Sequence, residues 1–138
     1  MEVDFEGALG FFKGLSKQRL GCSKLAFEGD LGAGKTFFIK QLLGLLDPKL
    51  AEQSASPSFG LCNNYVAPGF EIDHFDLYRL DRPDQIEETG LWESLEDPDK
   101  ASWIEWASMF GGICPACDLV ITIKDGPSGR KYLIEESA

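Results

Sequence analysis

Basic residues are scarce in this chain of 138 residues, which has 13 lysines and arginines against 23 aspartates and glutamates. The net charge of −10 repels phosphate backbones, so unaided binding to nucleic acid is not expected. Residues 71–99 concentrate eleven acidic side chains against two basic ones. These acids either keep the protein soluble or form a docking face for a basic partner, and a sequence count leaves both interpretations open.

Long apolar runs and an export signal are also missing. No apolar run approaches the roughly 20 residues that span a bilayer. The first six residues, MEVDFE, carry acids where a secretory signal carries basic residues. We therefore expect a cytoplasmic protein with no membrane partner and no disulfide framework. The length predicts one domain over residues 1–138 with its own core.

Cysteine and histidine offer little chemistry here. Cys114 and Cys117 form a lone CxxC pair, which lacks regularly spaced zinc ligands and the preceding strand of a redox motif. Partly buried free thiols are the favoured interpretation over zinc or redox sites. The single histidine, His74, has no serine or cysteine nucleophile beside it in sequence. We expect it to be a packed strand residue that holds Asp76 in place.

Hydrophobic spacing and turn residues predict the secondary structure. Helices are expected at residues 4–19, 35–46 and 83–90. Strands are expected at residues 24–27, 59–66, 71–77, 102–106, 119–124 and 131–135. Residues 52–57 are expected to form a surface loop, and the strands at 59–66 and 71–77 a hairpin. The predicted fold class is α/β, with a mixed central sheet flanked by helices, although the strand order is not predictable from this pattern.

A complete G-x-x-x-x-G-K-T motif lies between the first long strand and the second helix, as a nucleotide-binding phosphate loop requires. Its glycines let consecutive N–H groups converge on phosphate, and the helix start adds positive charge. The bound nucleotide is expected to be ATP or ADP with Mg²⁺, because the guanine-selective Asn-Lys-x-Asp motif is absent. The nucleotide-binding residues predicted from the motif are Gly29, Asp30, Leu31, Gly32, Ala33, Gly34, Lys35 and Thr36.

Two acidic residues near predicted strand ends complete the candidate site. Ligands of α/β sheets collect at the carboxyl ends of the strands, where Asp76 and Glu105 are expected. We predict Thr36, Asp76 and Glu105 as Mg²⁺ ligands, with Lys35 and Glu105 as catalytic residues. The alternative is that both acids are simply solvated. Trp106 either stacks on the base or ribose or belongs to the core.

Four segments in order resemble one family closely. They are GDLGAGKT at 29–36, SPSF at 56–59, HFDLYRL at 74–80 and IEW at 104–106. This combination is similar to the TsaE family, also called YjeE, which comprises the bacterial ATPases of tRNA threonylcarbamoyladenosine biosynthesis. The resemblance runs from about residue 5 to residue 134 and implies a P-loop NTPase-like fold.

The resemblance also implies residue roles. Lys35 and Thr36 match the phosphate and Mg²⁺ contacts, and Asp76 matches a Walker-B-like metal carboxylate. Glu105 matches an acid tied to metal binding or hydrolysis, and Trp106 an aromatic residue beside the nucleotide. Two positions depart from the family's pattern. Ser58 stands for a threonine in a switch-like loop and keeps the hydroxyl, and Ala107 stands where proline is common.

Partners also follow from the resemblance. It implies binding to the TsaB–TsaD pair, contact with tRNA only through that pair, and ATP hydrolysis that resets the complex between turnovers. Isolated family members are weak ATPases, and a transition-state arginine is expected from Arg79 or from a partner. Two other functions stay open: a nucleotide-gated binding module without significant hydrolysis, and a small-molecule kinase.

Overall fold

A mixed sheet forms the centre of this computed structural model, which describes residues 1–30, 32, 34–55 and 62–137. Within those residues the sheet has seven strands in the order β1-β7-β6-β2-β5-β4-β3. They are β1 (Glu2–Val3), β2 (Lys24–Glu28), β3 (Cys62–Ala67), β4 (Phe70–Asp76), β5 (Ala101–Glu105), β6 (Leu119–Gly126) and β7 (Gly129–Glu136). β6, β2, β5 and β4 run parallel, whereas β3, β7 and β1 join antiparallel. The predicted mixed α/β class is confirmed.

Helices cover the sheet. In the described part of the chain they are α1 (Phe5–Lys13), α2 (Lys17–Leu20), α3 (Lys35–Leu46), α4 (Pro48–Gln53), α5 (Pro83–Thr89) and α6 (Leu91–Glu96). Two 3₁₀ turns, Ala107–Met109 and Cys114–Ala116, follow β5. Among these described helices, none combines the length and the apolar character that crossing a bilayer requires.

Alternating side chains of β2 divide the core into two clusters. Leu25 and Phe27 belong to a cluster that includes Phe12 of α1 and Phe38 of α3. Ala26 points the other way, into a cluster with Ile86 of α5 and other buried residues. Period-two alternation in a strand buried on both faces produces this arrangement. The sheet is therefore flanked by helices, as predicted, and these helices lie on both of its faces.

The predicted helix at 4–19 is wrong as a continuous element. α1 ends at Lys13, and Gly14 closes it by donating to carbonyls of the preceding turn. Ser16 then starts α2, because its hydroxyl accepts a hydrogen bond from the Arg19 amide at 3.1 Å. A serine at this position offers the backbone a new helix start in place of continuation.

Further differences concern the ends and the short elements. The predicted helix at 35–46 is confirmed, but α4 follows it directly and occupies part of the expected loop at 52–57. Asp47 ends one helix and caps the next, since its side chain accepts from the Lys49 amide at 2.9 Å. The predicted hairpin of β3 and β4 is confirmed, although residues 59–61 of the predicted strand lie outside the described residues. β1 and α6 were not predicted, because elements of two and six residues show no clear periodicity.

Candidate functional site

The glycine-rich segment joins the end of β2 to the start of α3. Gly29, Gly32 and Gly34 have φ values of 146°, 80° and 97°, which side-chain-bearing residues rarely adopt. α3 has twelve residues, and the first N–H groups of such a helix have no intrahelical partner. Glycines with positive φ followed by a helix start are features that an anion-binding loop requires, and anion binding at this loop stays a prediction. Leu31 and Ala33 lie outside the described residues.

The Lys35 ammonium is folded against its own loop. Its Nζ donates to the carbonyl oxygens of Gly29 at 2.6 Å and Asp30 at 2.9 Å. The same atom lies 4.4 Å from the centroid of the Trp106 ring. Burial lowers the pKa of Lys35, and the Glu105 carboxylate is the largest influence in the opposite direction. An anionic ligand would replace two neutral acceptors by charged ones, which bind an ammonium more strongly.

Thr36 and Glu105 are in direct contact. Thr36 Oγ1 donates to the Glu105 carboxylate, with distances of 3.0 Å to Oε2 and 3.2 Å to Oε1. Glu105 is the last residue of β5 and is only 3% exposed. Parallel pairing places Glu105 opposite Phe27 of β2 and opposite Asp76 of β4. The three predicted metal ligands therefore meet at the sheet edge where α3 begins.

His74 corrects one expectation. Its Nε2 lies 2.6 Å from Glu105 Oε2, and its ring is fully buried, so it holds Glu105 and not Asp76. His74 and Asp76 lie on the same face of β4, but Glu105 stands on the neighbouring strand within lateral reach of the imidazole. Asp76 is held locally instead, because its Oδ1 accepts from the Tyr78 amide at 3.0 Å.

Asp76 is half-buried at the end of β4. Burial raises the pKa of its carboxyl, and the nearby Glu105 carboxylate raises it further. The Tyr78 amide, His74 and Lys35 act in the opposite direction and lower this pKa. Two adjacent carboxylates with limited solvent access form a pair of oxygen donors that a cation stabilises.

Trp106 has an unusual backbone conformation. Its φ of 63° and ψ of 33° place a large aromatic residue in the left-handed region directly after Glu105. The ring is half-buried, packs beside the second core cluster and lies 4.9 Å from the Tyr78 ring. Such strain persists where the surrounding structure fixes it, commonly at functional sites. Trp106 thus contacts both the core and Lys35, and stacking on a nucleotide stays a prediction.

A cavity of about 270 Å³ unites most of the predicted site residues. Its lining consists of Gly32, Gly34, Lys35, Thr36, Phe37, Asp76, Glu105 and Trp106. A second cavity of about 440 Å³ is lined by Gly29, Asp30, Thr122, Ile123, Lys124 and Asp125. A third cavity, of about 610 Å³ and lined in part by Phe11, Arg19 and Asp118, contains none of the predicted site residues.

Two residues near the loop were missed by sequence reasoning. Phe37 is 47% exposed and lines the smaller cavity, although it is apolar. The helical spacing of the sequence could have identified Phe37, because it falls outside the stripe of α3 that is buried. That stripe consists of Lys35, Phe38, Ile39, Leu42, Leu43 and Leu46. Arg130 of β7 packs its guanidinium on Gly34, where an added Cβ would clash with Nη1. Nothing local marks Arg130, because 96 residues separate it from that glycine.

The CxxC pair does not line the cavity of about 270 Å³, although Cys114 Sγ lies 3.8 Å from Glu28 Oε1 at the end of β2. Cys114 is partly buried and Cys117 is buried, and both are free thiols. Burial raises the pKa of Cys114 to about 11 and that of Cys117 to about 12. Both sulfurs therefore stay protonated at neutral pH, a state that favours packing over nucleophilic or redox chemistry.

Comparisons with known proteins place the chain among relatives. A family model described as "Threonylcarbamoyl adenosine biosynthesis protein TsaE" matches residues 7–132. The tRNA threonylcarbamoyladenosine biosynthesis protein TsaE of Rickettsia bellii is 37% identical over 99 residues, covering 70% of this chain and 65% of that protein. The protein of the same name from Haemophilus influenzae is 36% identical over 96 residues, covering 70% and 59%. The chain thus spans less than two thirds of the length of these two relatives.

Two further matches extend the comparison. The TsaE protein of Borreliella burgdorferi is 36% identical over 107 residues, covering 75% of this chain and 74% of that protein. Among solved structures, Bacillus subtilis YdiB superposes with a TM-score of 0.62 at 22% identity. That superposition covers all of this chain and 84% of YdiB, and it supports the observed fold.

Proposed function

Because the chain belongs to the TsaE family, we propose that it binds ATP or ADP with Mg²⁺ on residues 29–36 and hydrolyses ATP slowly. In this proposal it serves tRNA threonylcarbamoyladenosine biosynthesis as an accessory protein. The observation that carries the proposal is the contact of the Thr36 hydroxyl with the buried Glu105 carboxylate, directly after the phosphate loop. A hydroxyl and an acid so placed are what a phosphate-bound metal requires.

The loop fits a nucleotide phosphate. Positive φ values at Gly32 and Gly34 leave the backbone N–H groups unshielded by side chains, and α3 starts at the same point. Lys35 is already within the loop, so it needs only to exchange the carbonyls of Gly29 and Asp30 for phosphate oxygens. In this proposal Lys35 stabilises the negative charge that develops on the transferred phosphoryl group.

The acidic end of the cavity fits Mg²⁺. Thr36, Asp76 and Glu105 supply oxygen donors, which are the ligands that Mg²⁺ prefers. Burial and the neighbouring Glu105 both raise the pKa of Asp76, so a cation here would relieve the repulsion between the two acids. Bound Mg²⁺ supplies positive charge that offsets the charge of the phosphates. Glu105, held by His74 and Thr36, orients the attacking water in this proposal.

Hydrolysis by the isolated chain should be slow. P-loop hydrolysis without a transition-state arginine is slower by roughly 10³–10⁵. Arg79 is exposed, Arg130 packs on Gly34, and neither arginine lines the cavity. We therefore propose that a partner completes the site. By the family resemblance that partner is the TsaB–TsaD pair, which hydrolysis resets between turnovers, and tRNA is met only through it.

The test is ATP hydrolysis by the purified protein, alone and with TsaB and TsaD. We expect negligible turnover alone and a clear increase with the partners, together with tight ADP binding in both settings. Absence of nucleotide binding would refute the proposal. A metabolite that accelerates ATP consumption and becomes phosphorylated would instead establish a kinase.

A Glu105→Gln variant separates hydrolysis from gating. The change keeps the shape and one oxygen acceptor but removes the negative charge. We expect it to bind ATP and its partners yet to fail in repeated rounds of tRNA modification. Exposed Glu93 provides the matched control, since Glu93→Gln should behave as the wild type. Full multiple-turnover activity of Glu105→Gln would support a nucleotide-gated module instead.

A further inference from the structure

A continuous line of hydrogen bonds runs behind the candidate site. Glu105 Oε2 lies 2.6 Å from His74 Nε2, and His74 Nδ1 lies 2.9 Å from the Tyr65 hydroxyl. That hydroxyl lies 2.8 Å from the Ala55 carbonyl oxygen and accepts from the Ala55 amide at 3.2 Å. Since Glu105 also accepts from Thr36, the line connects the start of α3 to the main chain at Ala55.

The three side chains of this line are shielded from water, whereas Ala55 at its end is exposed. Tyr65, His74 and Glu105 are 2%, 0% and 3% exposed. They stand on β3, β4 and β5, which are successive neighbours in the sheet, so the strands fix their spacing. A buried polar group that loses its partner cannot recover the bond from solvent at low cost. Asn63 Nδ2 also donates to the Ala55 carbonyl oxygen at 2.9 Å and to the Tyr65 hydroxyl at 3.3 Å, so the bonds from Tyr65 to His74 and from His74 to Glu105 are the buried part of the line.

The proton count couples the two ends. A carboxylate oxygen accepts hydrogen bonds, so the 2.6 Å contact with Glu105 Oε2 is made by an Nε2–H of His74. Tyr65 has a single hydroxyl proton, but the Ala55 carbonyl oxygen and His74 Nδ1 both lie within reach of it. Whether the Tyr65 hydroxyl donates its hydrogen to the Ala55 carbonyl oxygen or to His74 Nδ1 consequently depends on the position of the imidazole.

We propose that Tyr65 and His74 are positioning residues that tie the orientation of the Glu105 carboxylate to the main chain at Ala55. The role in hydrolysis rests on the proposed function, whereas the coupling between Glu105 and Ala55 does not require a nucleotide. Residues that orient a group in contact with a metal typically change activity or affinity by 10–100-fold when substituted. Tyr65 and His74 act through Glu105 in the same manner.

Nuclear magnetic resonance reports on the coupling in the protein without ligands. His74 is the only histidine, so ¹⁵N-histidine labelling gives one imidazole spin system. We expect its Nε2–H proton at low field, and we expect Glu105→Gln to move that resonance. The same substitution should accelerate exchange of the Ala55 amide hydrogen about tenfold, although it lies at the far end of the line.

Kinetics and a control variant complete the test. Measured with TsaB and TsaD present, Tyr65→Phe, which removes only the hydroxyl, should lower kcat about tenfold while KM and the ADP Kd stay within twofold. Ser94→Ala removes another buried hydroxyl, bonded to Ser102 Oγ at 2.6 Å, and should leave kcat and Ala55 exchange unchanged. Wild-type Ala55 exchange in Glu105→Gln, or wild-type kcat in Tyr65→Phe, would overturn the proposal. If the wild type hydrolyses no ATP even with TsaB and TsaD, the proposed hydrolysis fails, and the exchange experiment still decides the coupling.

Discussion

Lys24 is the position where loss of one side-chain charge should destabilise the fold most clearly. Lys24 is only 8% exposed. Its Nζ donates to the carbonyl oxygens of Ser94, Asp97 and Lys100 at 2.9, 2.7 and 2.7 Å. Ser102 Oγ lies at 3.3 Å from the same atom. The last carbonyls of a helix lack intrahelical partners, so this ammonium from β2 holds the end of α6 and its connection to β5.

Lys24→Met keeps the length of the apolar stem but removes every donor. Each buried acceptor left unpaired costs about 1–3 kcal/mol. Burial lowers the pKa of Lys24, which shows that the ammonium is costly to hold away from water. Removing this charge therefore offsets part of the cost of the unpaired acceptors. We therefore expect a net loss of about 3–5 kcal/mol in the free energy of unfolding. At about 2.1 cal/mol/K of unfolding entropy per residue, this loss lowers Tm by roughly 10–17 °C.

Urea and thermal unfolding followed by circular dichroism measure this effect. Lys40→Met, at an exposed position of α3, is the matched control and should stay within about 0.5 kcal/mol of the wild type. Lys24 begins β2, whereas the phosphate loop follows its end, so the ADP Kd of folded Lys24→Met should be unchanged. A loss below about 1 kcal/mol would show that the carbonyls find other donors, and the reasoning would be refuted.

Three further predictions concern the site. Asp76→Asn should stabilise the protein at pH 7. The pKa of Asp76 is raised above 3.8 in the folded state, so the contribution of this carboxyl to the free energy of unfolding falls as pH rises from 3.8 through the folded pKa. Urea unfolding at pH 3.5 and pH 7 checks this, and an equal effect at both values would contradict it. Gly34→Ala should lower the free energy of unfolding by about 1–2 kcal/mol, because alanine is strained at the φ of 97°. Thermal unfolding of Gly34→Ala/Arg130→Ala should show the same loss of stability. Wild-type stability of the double variant would mean that the clash with the Arg130 guanidinium causes the loss. Trp106→Phe should abolish most of the ADP-induced change in tryptophan fluorescence, because Trp106 lies 4.4 Å from the Lys35 ammonium; an unchanged signal would assign it to Trp92 or Trp103.

Local patterns in the sequence predicted much of the framework. The helix at Lys35–Leu46 and the strand beginning at Lys24 follow from apolar spacing between clear start and stop residues. The prediction of one continuous helix at 4–19 was wrong, because the Ser16 side chain caps the start of a second helix within the apolar periodicity. The acids at the ends of β4 and β5 were identified because strand ends are recognisable even when strand order is not.

The partners of individual side chains were decided by tertiary structure. His74 binds Glu105 because β4 and β5 pair in parallel with Asp76 opposite Glu105, a register that no local pattern contains. Lys24 and Arg130 likewise meet acceptors or glycines more than 65 residues away in sequence.

The sequence by itself predicted a phosphate-binding loop, because eight consecutive residues carry both the backbone freedom and the charge that such a loop needs. Tertiary structure alone decided that Thr36 contacts Glu105 and that His74 holds the Glu105 carboxylate. The physical reason is that loop conformation depends on neighbours along the chain. A buried carboxylate, in contrast, is fixed by partners that only the assembled sheet brings within hydrogen-bond distance.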